Sequence, residues 1–497
     1  MSFLAITVLS CYALLAMLLL VYGLNCLVMV YLFWRKYNIK TQEQAKFECE
    51  SSVSNWPTVT TQIPVFNEAN VIERIIEAVT KLEYPGHHHI QVLDDSNDIT
   101  SSLIDAKVKT LTKKGIDIDI VRRDDRTGYK AGALAHAHDL AKGEYIAVFD
   151  ADFVPTSEFL IKTIPYFIAT KKLGLIQARW GHLNENKSML TKIQALGIDG
   201  HFMVEQSARC WNNLCMNFNG TAGIWRKKAI ESGGGWSSDT LTEDMDLSYR
   251  VQMKGWETEY LPSLVVPAEL PEELRALKSQ QFRWAKGSTQ TALKILPKLW
   301  RQEGFSFRWA QAFLHMTHYL VHPLMIMVAL LSWPVIHYSQ LYSLSSVWQL
   351  VLMAIFLISM LSTNALYIVS QIKSDVQWLR KIRMLPCLMV LGVGLAVNNT
   401  KAVVEALMGY KTEFVRTPKK GDATTLAYKM KTPWPVVVEL IMGSYCFMTL
   451  VEYISFEKFL LGPFVAIYAV GFLCVGMITL LQSFCGKLKF LRVGDSV

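Results

Sequence analysis

Two long stretches of this 497-residue chain contain no Asp, Glu, Lys or Arg: Met1 to Trp34, and the 63 residues from Ala310 to Ile372. The absence excludes an ordinary soluble fold for those parts, because about 20 uncharged apolar residues can span a bilayer core as a helix. Cysteines at metal-binding spacing are also missing. The nine that occur (Cys11, Cys26, Cys49, Cys210, Cys215, Cys387, Cys446, Cys474 and Cys485) lie in apolar runs or in the charged middle, and Cys210 and Cys215 have no second pair. A structural zinc and a disulfide framework are therefore not expected. Repeats and low-complexity tracts are lacking. The middle of the chain also lacks a charge imbalance: Arg35 to Trp309 holds 35 basic and 34 acidic residues. The formal net charge of +8 thus belongs to the C-terminal part, where Lys373 to Val497 carries 15 basic and 8 acidic residues. A near-neutral middle excludes a nucleic-acid footprint there. Its 69 charges in 275 residues, about 25%, match a soluble globular domain.

What is present is a multi-span pattern. Leu4 to Phe33 has no basic start and no clear cleavage site, so it reads as a retained anchor and not as a signal peptide. Ala310 to Ile372 is long enough for two spans with a break near Ser332 to Ser346. Val436 to Phe456 and Phe459 to Gly486 complete five. Met384 to Tyr410 is apolar to Val397 and then polar, with Asn398, Asn399, Thr400, Lys401 and Glu405. Basic residues follow the third span (Lys373, Arg380, Lys381, Arg383), follow this segment (Lys411, Arg416, Lys419, Lys420, Lys429, Lys431) and end the chain (Lys487, Lys489, Arg492). If the segment lies along or dips into the interface, all three fall on the cytoplasmic side, as the positive-inside rule requires. The expected division is an N-terminal span over 1–34, a cytoplasmic domain over 35–309, and a membrane region over 310–497.

The charged middle alternates strands and helices. Thr58 to Ile63, Ile90 to Leu93, Ile116 to Val121 and Tyr145 to Phe149 read as strands, with helices over Ala69 to Leu82 and Lys130 to Ala141. That alternation predicts an α/β, Rossmann-like, mostly parallel sheet, with ligands at the carboxyl ends of its strands. Asp94-Asp95 and Asp150-Ala151-Asp152 follow two of these strands. Asp150 and Asp152 lie on one side of an extended segment and suit Mg2+ or Mn2+, which take oxygen ligands and bridge to phosphates; a turn or helix cap is the plain alternative. Gly128-Tyr129-Lys130 opens a helix and suits a diphosphate, or is an ordinary helix start. Thr242-Glu243-Asp244 either caps a helix or supplies a general base. Gln280-x-x-Arg283-Trp284 offers a phosphate fork and a flat sugar platform, or an interfacial belt. His315, His318 and His322 recur at helical spacing, pore-facing or simply bonded between helices. His87-His88-His89 reads as a surface turn before a strand.

In this order the motifs resemble the membrane-integrated family 2 glycosyltransferases, the β-glycan synthases related to cellulose synthase and to the cellulose-synthase-like A proteins (mannan and glucomannan synthases). Ile63-Pro64-Val65-Phe66-Asn67-Glu68, Gln91-Val92-Leu93-Asp94-Asp95-Ser96 and Phe218-Asn219-Gly220-Thr221 also match. The resemblance implies a GT-A type glycosyltransferase domain inserted between transmembrane α-helices. It implies an inverting, metal-dependent hexosyltransferase that uses UDP-glucose or GDP-mannose, with a slight lean to glucose, and extends and exports a β-linked glycan; a non-processive enzyme making a glycolipid is the alternative. By the resemblance, Asp94 or Asp95 contacts the nucleoside, Lys130 holds the nucleotide, and Asp150 and Asp152 bind diphosphate and metal (Mg2+ or Mn2+). Asp244, within Thr242-Glu243-Asp244, is the general base. Gln280, Arg283 and Trp284 bind diphosphate and acceptor, while Phe218, Asn219, Gly220 and Thr221 line the acceptor entrance. Phe414, Arg416, Thr417 and Lys419 look like the family's gating loop. It also implies an integral multi-pass protein of a bacterial inner membrane, the Golgi or the plasma membrane, with its catalytic domain cytoplasmic and no nucleic-acid partner. Cellulose synthases commonly carry Cys-Gly-Ser where this chain has Asn219-Gly220-Thr221, and Val where Arg416 stands; both departures point away from cellulose.

Overall fold

The structure, a computed structural model, describes residues 1–51, 53–343, 346–410 and 435–494, with side chains to 483. The loop residues Phe414, Arg416, Thr417 and Lys419 lie outside the described residues.

A seven-stranded sheet forms the centre of the charged region. Its strands are β1 (Val59–Val65), β2 (His88–Asp94), β3 (Ile118–Val121), β4 (Tyr145–Val148), β5 (Leu173–His182), β6 (Gly223–Arg226) and β7 (Glu257–Ala268). Their order is β3-β2-β1-β4-β6-β5-β7. β1 pairs parallel with β2 on one side and β4 on the other. β6 is antiparallel to both β4 and β5, while β5 and β7 are parallel. The carboxyl ends of β1, β2, β4, β5 and β7 therefore share one edge. Every residue of β1 is buried, as expected of a central strand covered on both faces. Its buried polar side chains bond across the sheet: Gln62 Nε2 donates to Gln91 Oε1 at 2.9 Å, and Thr61 Oγ1 lies 2.8 Å from His88 Nε2. The strand begins earlier than the sequence suggests. His88 and His89 belong to β2, and His89 is fully buried, so of the three histidines His87 alone stays exposed before the strand.

Helices cover both faces: α2 (Ile72–Thr80), α3 (Thr100–Thr112), α4 (Tyr129–His138), α5 (Phe159–Ala169), α6 (Met189–Asp199), α7 (Ser207–Trp211), α8 (Lys227–Ser232) and α9 (Glu243–Met253). They follow α1 (Phe3–Glu50), the N-terminal helix. A π-helical stretch, Gly200–Gln206, joins α6 to α7. Two apolar layers result, one built on Ile63, Ile75, Ile104 and Phe159, the other on Leu134, Trp225, Leu247 and Tyr260. α10 (Leu274–Glu303) then runs from the sheet to the membrane helices. It is followed by α11 (Phe307–Met316), α12 (Val321–Leu341), α13 (Ser346–Ser374), the single turn α14 (Trp378–Lys381), α15 (Leu385–Gly394), α16 (Ala396–Leu407), α17 (Pro435–Ser455) and α18 (Gly462–Gly494).

Among the described residues, five helices are long and apolar enough to cross a membrane: Phe3–Glu50, His318–Leu341, Ser346–Ser374, Pro435–Ser455 and Gly462–Ser483. They share an apolar core containing Tyr12, Val335, Phe356, Cys446 and Phe472. The charge boundary at Trp34 falls in mid-helix, because α1 continues to Glu50 and docks on the sheet domain through Gln44, which donates to Glu259 and the Tyr260 carbonyl. The ambiguous segment becomes two helices, Trp378–Gly394 and Ala396–Leu407, bent by 43°. Its polar residues point inward: Asn398 donates to the Lys278 carbonyl, and Asn399 contacts His322 Nε2 at 2.9 Å. The three spaced histidines likewise hold elements together. His315 contacts the Tyr249 hydroxyl at 2.7 Å, and His318 the His315 carbonyl at 2.7 Å.

Candidate active site

In a sheet wound in two directions, the crevice opens where neighbouring strands connect to opposite sides. Here that point lies between β1 and β4. Their ladder ends at Gln62–Val148, whereas β1 stays paired with β2 as far as Val65–Asp94. Pro64, which has no N–H to donate, sits just beyond the last β4 pair. The opened edge leads into a cleft lined by Pro64 to Phe66, Glu68, Asp95, Arg126, Lys130, Asp150, Asp152, Asn219, Gly220, Thr242 to Asp244, Gln280, Arg283 and Trp284. Motifs separated by up to 220 positions in the chain thus meet in one place.

The carboxylates are held close. Lys130, in the first turn of α4, reaches Asp150 Oδ1 at 2.5 Å and the Gly220 carbonyl at 2.9 Å. Gly220 must be glycine: its φ is +82°, and a Cβ there would lie 2.9 Å from Asp244 Oδ2 and 3.4 Å from Lys130 Nζ. Asp150 N donates to Thr221 Oγ1 at 2.8 Å, tying the segment after β4 to the one before β6. Asp244 sits in the first turn of α9 and accepts its neighbour Met245 N–H at 2.8 Å. Thr242 does not cap that helix with its side chain; its hydroxyl lies 3.1 Å from that of Thr291 on α10. A second tight contact fixes α10 here: a Cβ on Gly287 would meet Thr242 Cγ2 at 2.6 Å and the Thr242 N at 2.8 Å. This approach lets Arg283 and Trp284 reach the cleft.

Four of the cleft's carboxylates, Asp150, Asp152, Glu243 and Asp244, gather with Lys130 and Arg283; Glu68, Asp95, Glu269 and Arg126 line it as well. Burial and the neighbouring Glu243 charge push Asp244 up to about 7, against the pull of Lys130. Burial also raises Glu243 and Asp150, although Lys130 opposes both. Lys130 is raised: burial disfavours its charge, but Asp150, Glu243 and Asp244 outweigh it. A buried and half-buried group of carboxylate oxygens at a strand end fits a hard divalent cation. Asp150 and Asp152 would hold such an ion.

Some expected residues are elsewhere. Of the acidic pair after β2, only Asp95 lines the cleft; Arg123 grips it at 2.8 and 2.6 Å. Asp94 is turned inward, accepts Ser96 N–H at 3.0 Å and pairs with Arg122 at 2.9 Å. Successive side chains leave a strand on opposite faces, so both could not face the ligand. Phe218 is fully buried and packs edge-on to Trp225 at 5.3 Å. Thr221 is buried as well, leaving Asn219 and Gly220 at the cleft wall. The cleft also has a side that the motifs do not announce, made by Phe153, Trp180, His182, Ile198, Leu270 and Pro271. The available signal was weak: Trp180 and His182 alternate at the end of the strand run Leu173–His182.

A second group of ligand-type side chains, His89, Asp117 and Asp119, lies at the opposite edge of the sheet, where β2 and β3 begin. Lys142 already bonds Asp117 at 2.7 Å and lies 3.5 Å from Asp119, and His87 and His89 take the same carboxylates at 3.0 and 2.9 Å.

Residues 57–287 match the family described as "Glycosyltransferase like family 2". Glucomannan 4-beta-mannosyltransferase 7 of Arabidopsis thaliana is 33% identical over 482 residues, covering 90% of this chain and 83% of that protein. Glucomannan 4-beta-mannosyltransferase 9 of the same plant is 41% identical over 273 residues, 54% of this chain and 51% of its own length. Among solved structures, a mannosyltransferase from Pyrobaculum calidifontis in complex with GDP-Man and Mn2+ covers 81% of this chain and all of its own at 17% identity, with a TM-score of 0.49. With the sheet, the cleft and 33% identity along most of a full-length relative in hand, the chain belongs to the membrane family 2 glycosyltransferases, alongside the glucomannan 4-beta-mannosyltransferases of the cellulose-synthase-like A group.

Proposed function

We propose that this chain transfers mannosyl units from GDP-mannose onto the growing end of a β-linked glycan, repeatedly, and passes the product through its membrane helices. The observation that carries the reading is the half-buried Asp244 carboxyl, raised to about 7, in one cleft with Lys130, Asp150, Asp152 and Arg283. The choice of mannose over glucose rests on the named activity of relatives at 33–41% identity, and replaces the lean to UDP-glucose drawn from the motifs.

In the proposed reaction, Asp244 takes the proton from an acceptor hydroxyl as that oxygen attacks the anomeric carbon. The bond from that carbon to the diphosphate oxygen breaks, GDP departs, and an α-linked donor becomes a β-linked product. Lys130 and Arg283 stabilise the charge developing on the departing diphosphate. A divalent ion held by Asp150 and Asp152 would neutralise the same charge. Asp95 faces the nucleoside end of the cleft, and Trp284 offers an apolar face to the acceptor sugar. Glu243, beside Asp244, helps keep its proton affinity high enough for a base working near neutrality.

The basic residues flanking the spans support a cytoplasmic position for the cleft. The division at residues 34 and 309 then separates a membrane anchor, a catalytic domain and a membrane region, α1 serving as anchor and as strut.

The deciding experiment uses the purified full-length protein with Mn2+ or Mg2+ and GDP-mannose, GDP-glucose or UDP-glucose in turn. Nucleotide release and product size are measured. Release from GDP-mannose with long, mannanase-sensitive product is expected. Release from UDP-glucose alone would overturn the choice of sugar, and only short lipid-linked product would overturn polymerisation.

A further inference from the structure

β5 and β7 end at the same edge as β1, β2 and β4, but on the other side of the switch point. The cleft therefore has two halves. One is built on Pro64 to Glu68, Asp95, Arg126 and Lys130, and carries the basic and acidic groups that suit a nucleoside diphosphate. The other is built on Trp180, His182, Ile198, Leu270 and Pro271; its carboxylate, Glu269, is paired with Arg74 at 2.7 Å, and His182 is its one imidazole. Trp180 and His182 are two apart on a strand and so share a face. Trp180 is held rigid, stacked on Phe202 at 4.8 Å and edge-on to Phe153 at 5.1 Å. A fixed aromatic face beside a single oriented polar group is how proteins hold a pyranose.

The imidazole is itself oriented. His182 Nε2 lies 2.9 Å from Asp199 Oδ1, and both side chains are more than nine-tenths buried. Gln371 Nε2, on membrane helix α13, donates to the other oxygen of Asp199 at 2.9 Å. Burial pushes the Asp199 carboxyl up, but His182, Gln371 and the Lys381 charge together outweigh it and hold it below its ordinary range. A carboxylate can only accept. It therefore draws the imidazole N–H at Nε2 toward it, and in that tautomer Nδ1 is an acceptor.

The geometry points to an acceptor-sugar subsite in this half of the cleft, in which His182 Nδ1 accepts a hydroxyl of the terminal hexose, positioned by Asp199 and Gln371. It rests on the transferase reading above and deepens it. The donor half acts on the leaving group; His182 acts on the sugar that attacks. Asp199 and Gln371 are positioning residues, and they tie acceptor binding to a membrane helix.

The test uses full-length protein with GDP-mannose, Mn2+ and a soluble β-1,4-mannotetraose acceptor. His182→Ala should raise the acceptor KM about tenfold or more, as for a lost hydrogen bond to an oriented partner, while donor KM and Kd for GDP move less than twofold. His182→Gln, whose carbonyl still accepts, should recover most of the loss. Asp199→Asn lets the ring proton move to Nδ1 and should repeat the His182→Ala effect on acceptor KM. An unchanged acceptor KM in His182→Ala, or equal losses in donor and acceptor parameters, would overturn the subsite. If Asp199→Asn fails to fold, the difference between Ala and Gln at 182 decides alone. Wild-type protein that uses a different hexose nucleotide refutes the mannose reading, and the same variants are then assayed with that donor.

Discussion

Acidic side chains gather at both edges of the sheet, and the two gatherings differ in kind. At the starts of β2 and β3, Asp117 and Asp119 are partly exposed and matched by Lys142, His87 and His89. At the carboxyl ends, Asp150, Asp152, Glu243 and Asp244 are enclosed with fewer cations than carboxylates. Balanced, solvent-screened charge adds little to stability. Enclosed, unbalanced charge costs stability and persists where it serves a ligand. The second edge is therefore the one that suits a ligand and a proton to move.

The largest expected break in this contrast is Asp244→Asn. Transfer should fall by about a thousandfold, within the range for loss of a general base, with GDP binding retained; nucleotide release and GDP titration check both. Unchanged turnover would remove Asp244 from the mechanism.

Gly220→Ala is next. The added methyl would lie against Asp244 Oδ2 at a backbone φ of +82°, a conformation costing an L-residue about 1–2 kcal/mol. A loss of tenfold or more in kcat is expected, with normal yield of folded protein on size exclusion.

The pH dependence sharpens the contrast further. A base must be ionised to work, so kcat/KM should rise with pH and level off above about 7, the value to which burial pushes Asp244. Stability of the ligand-free protein should run the other way. A carboxyl whose folded value lies above its ordinary one favours folding when protonated. Its contribution is full below about 4 and is lost as pH rises to about 7. Asp244→Asn should flatten that part of the melting curve against pH.

The smallest effect belongs to the other edge. Asp119→Asn should change activity by less than about twofold and stability by no more than about 1 kcal/mol. A larger change in metal-dependent activity would show that the balanced cluster takes part after all.

Much of the site was legible because its motifs sit where elements end. Asp150 and Asp152 follow an apolar strand, Lys130 and Asp244 lie in the first turns of helices, and such places point at ligands in any strand–helix fold. The second half of the cleft was not legible. His182 meets Asp199 through a turn and a helix, and Asp199 meets Gln371 across 172 positions. No periodicity encodes such pairings. Nor could the motifs tell Asp94 from Asp95, or reveal that Phe218 belongs to the core.

The uncharged runs alone establish a chain that crosses a membrane, since no arrangement of neighbours makes 63 uncharged residues soluble. Strand–helix alternation likewise establishes the sheet, since each element must bury one face. Which side chains share the cleft was decided by packing. The close approach of Gly287 to Thr242 brings the helix of Arg283 and Trp284 against that of Asp244. The π-helical stretch Gly200–Gln206 and α13 set Asp199 behind His182. Such contacts depend on the shapes of surfaces distant in sequence, and these exist only once the chain has folded.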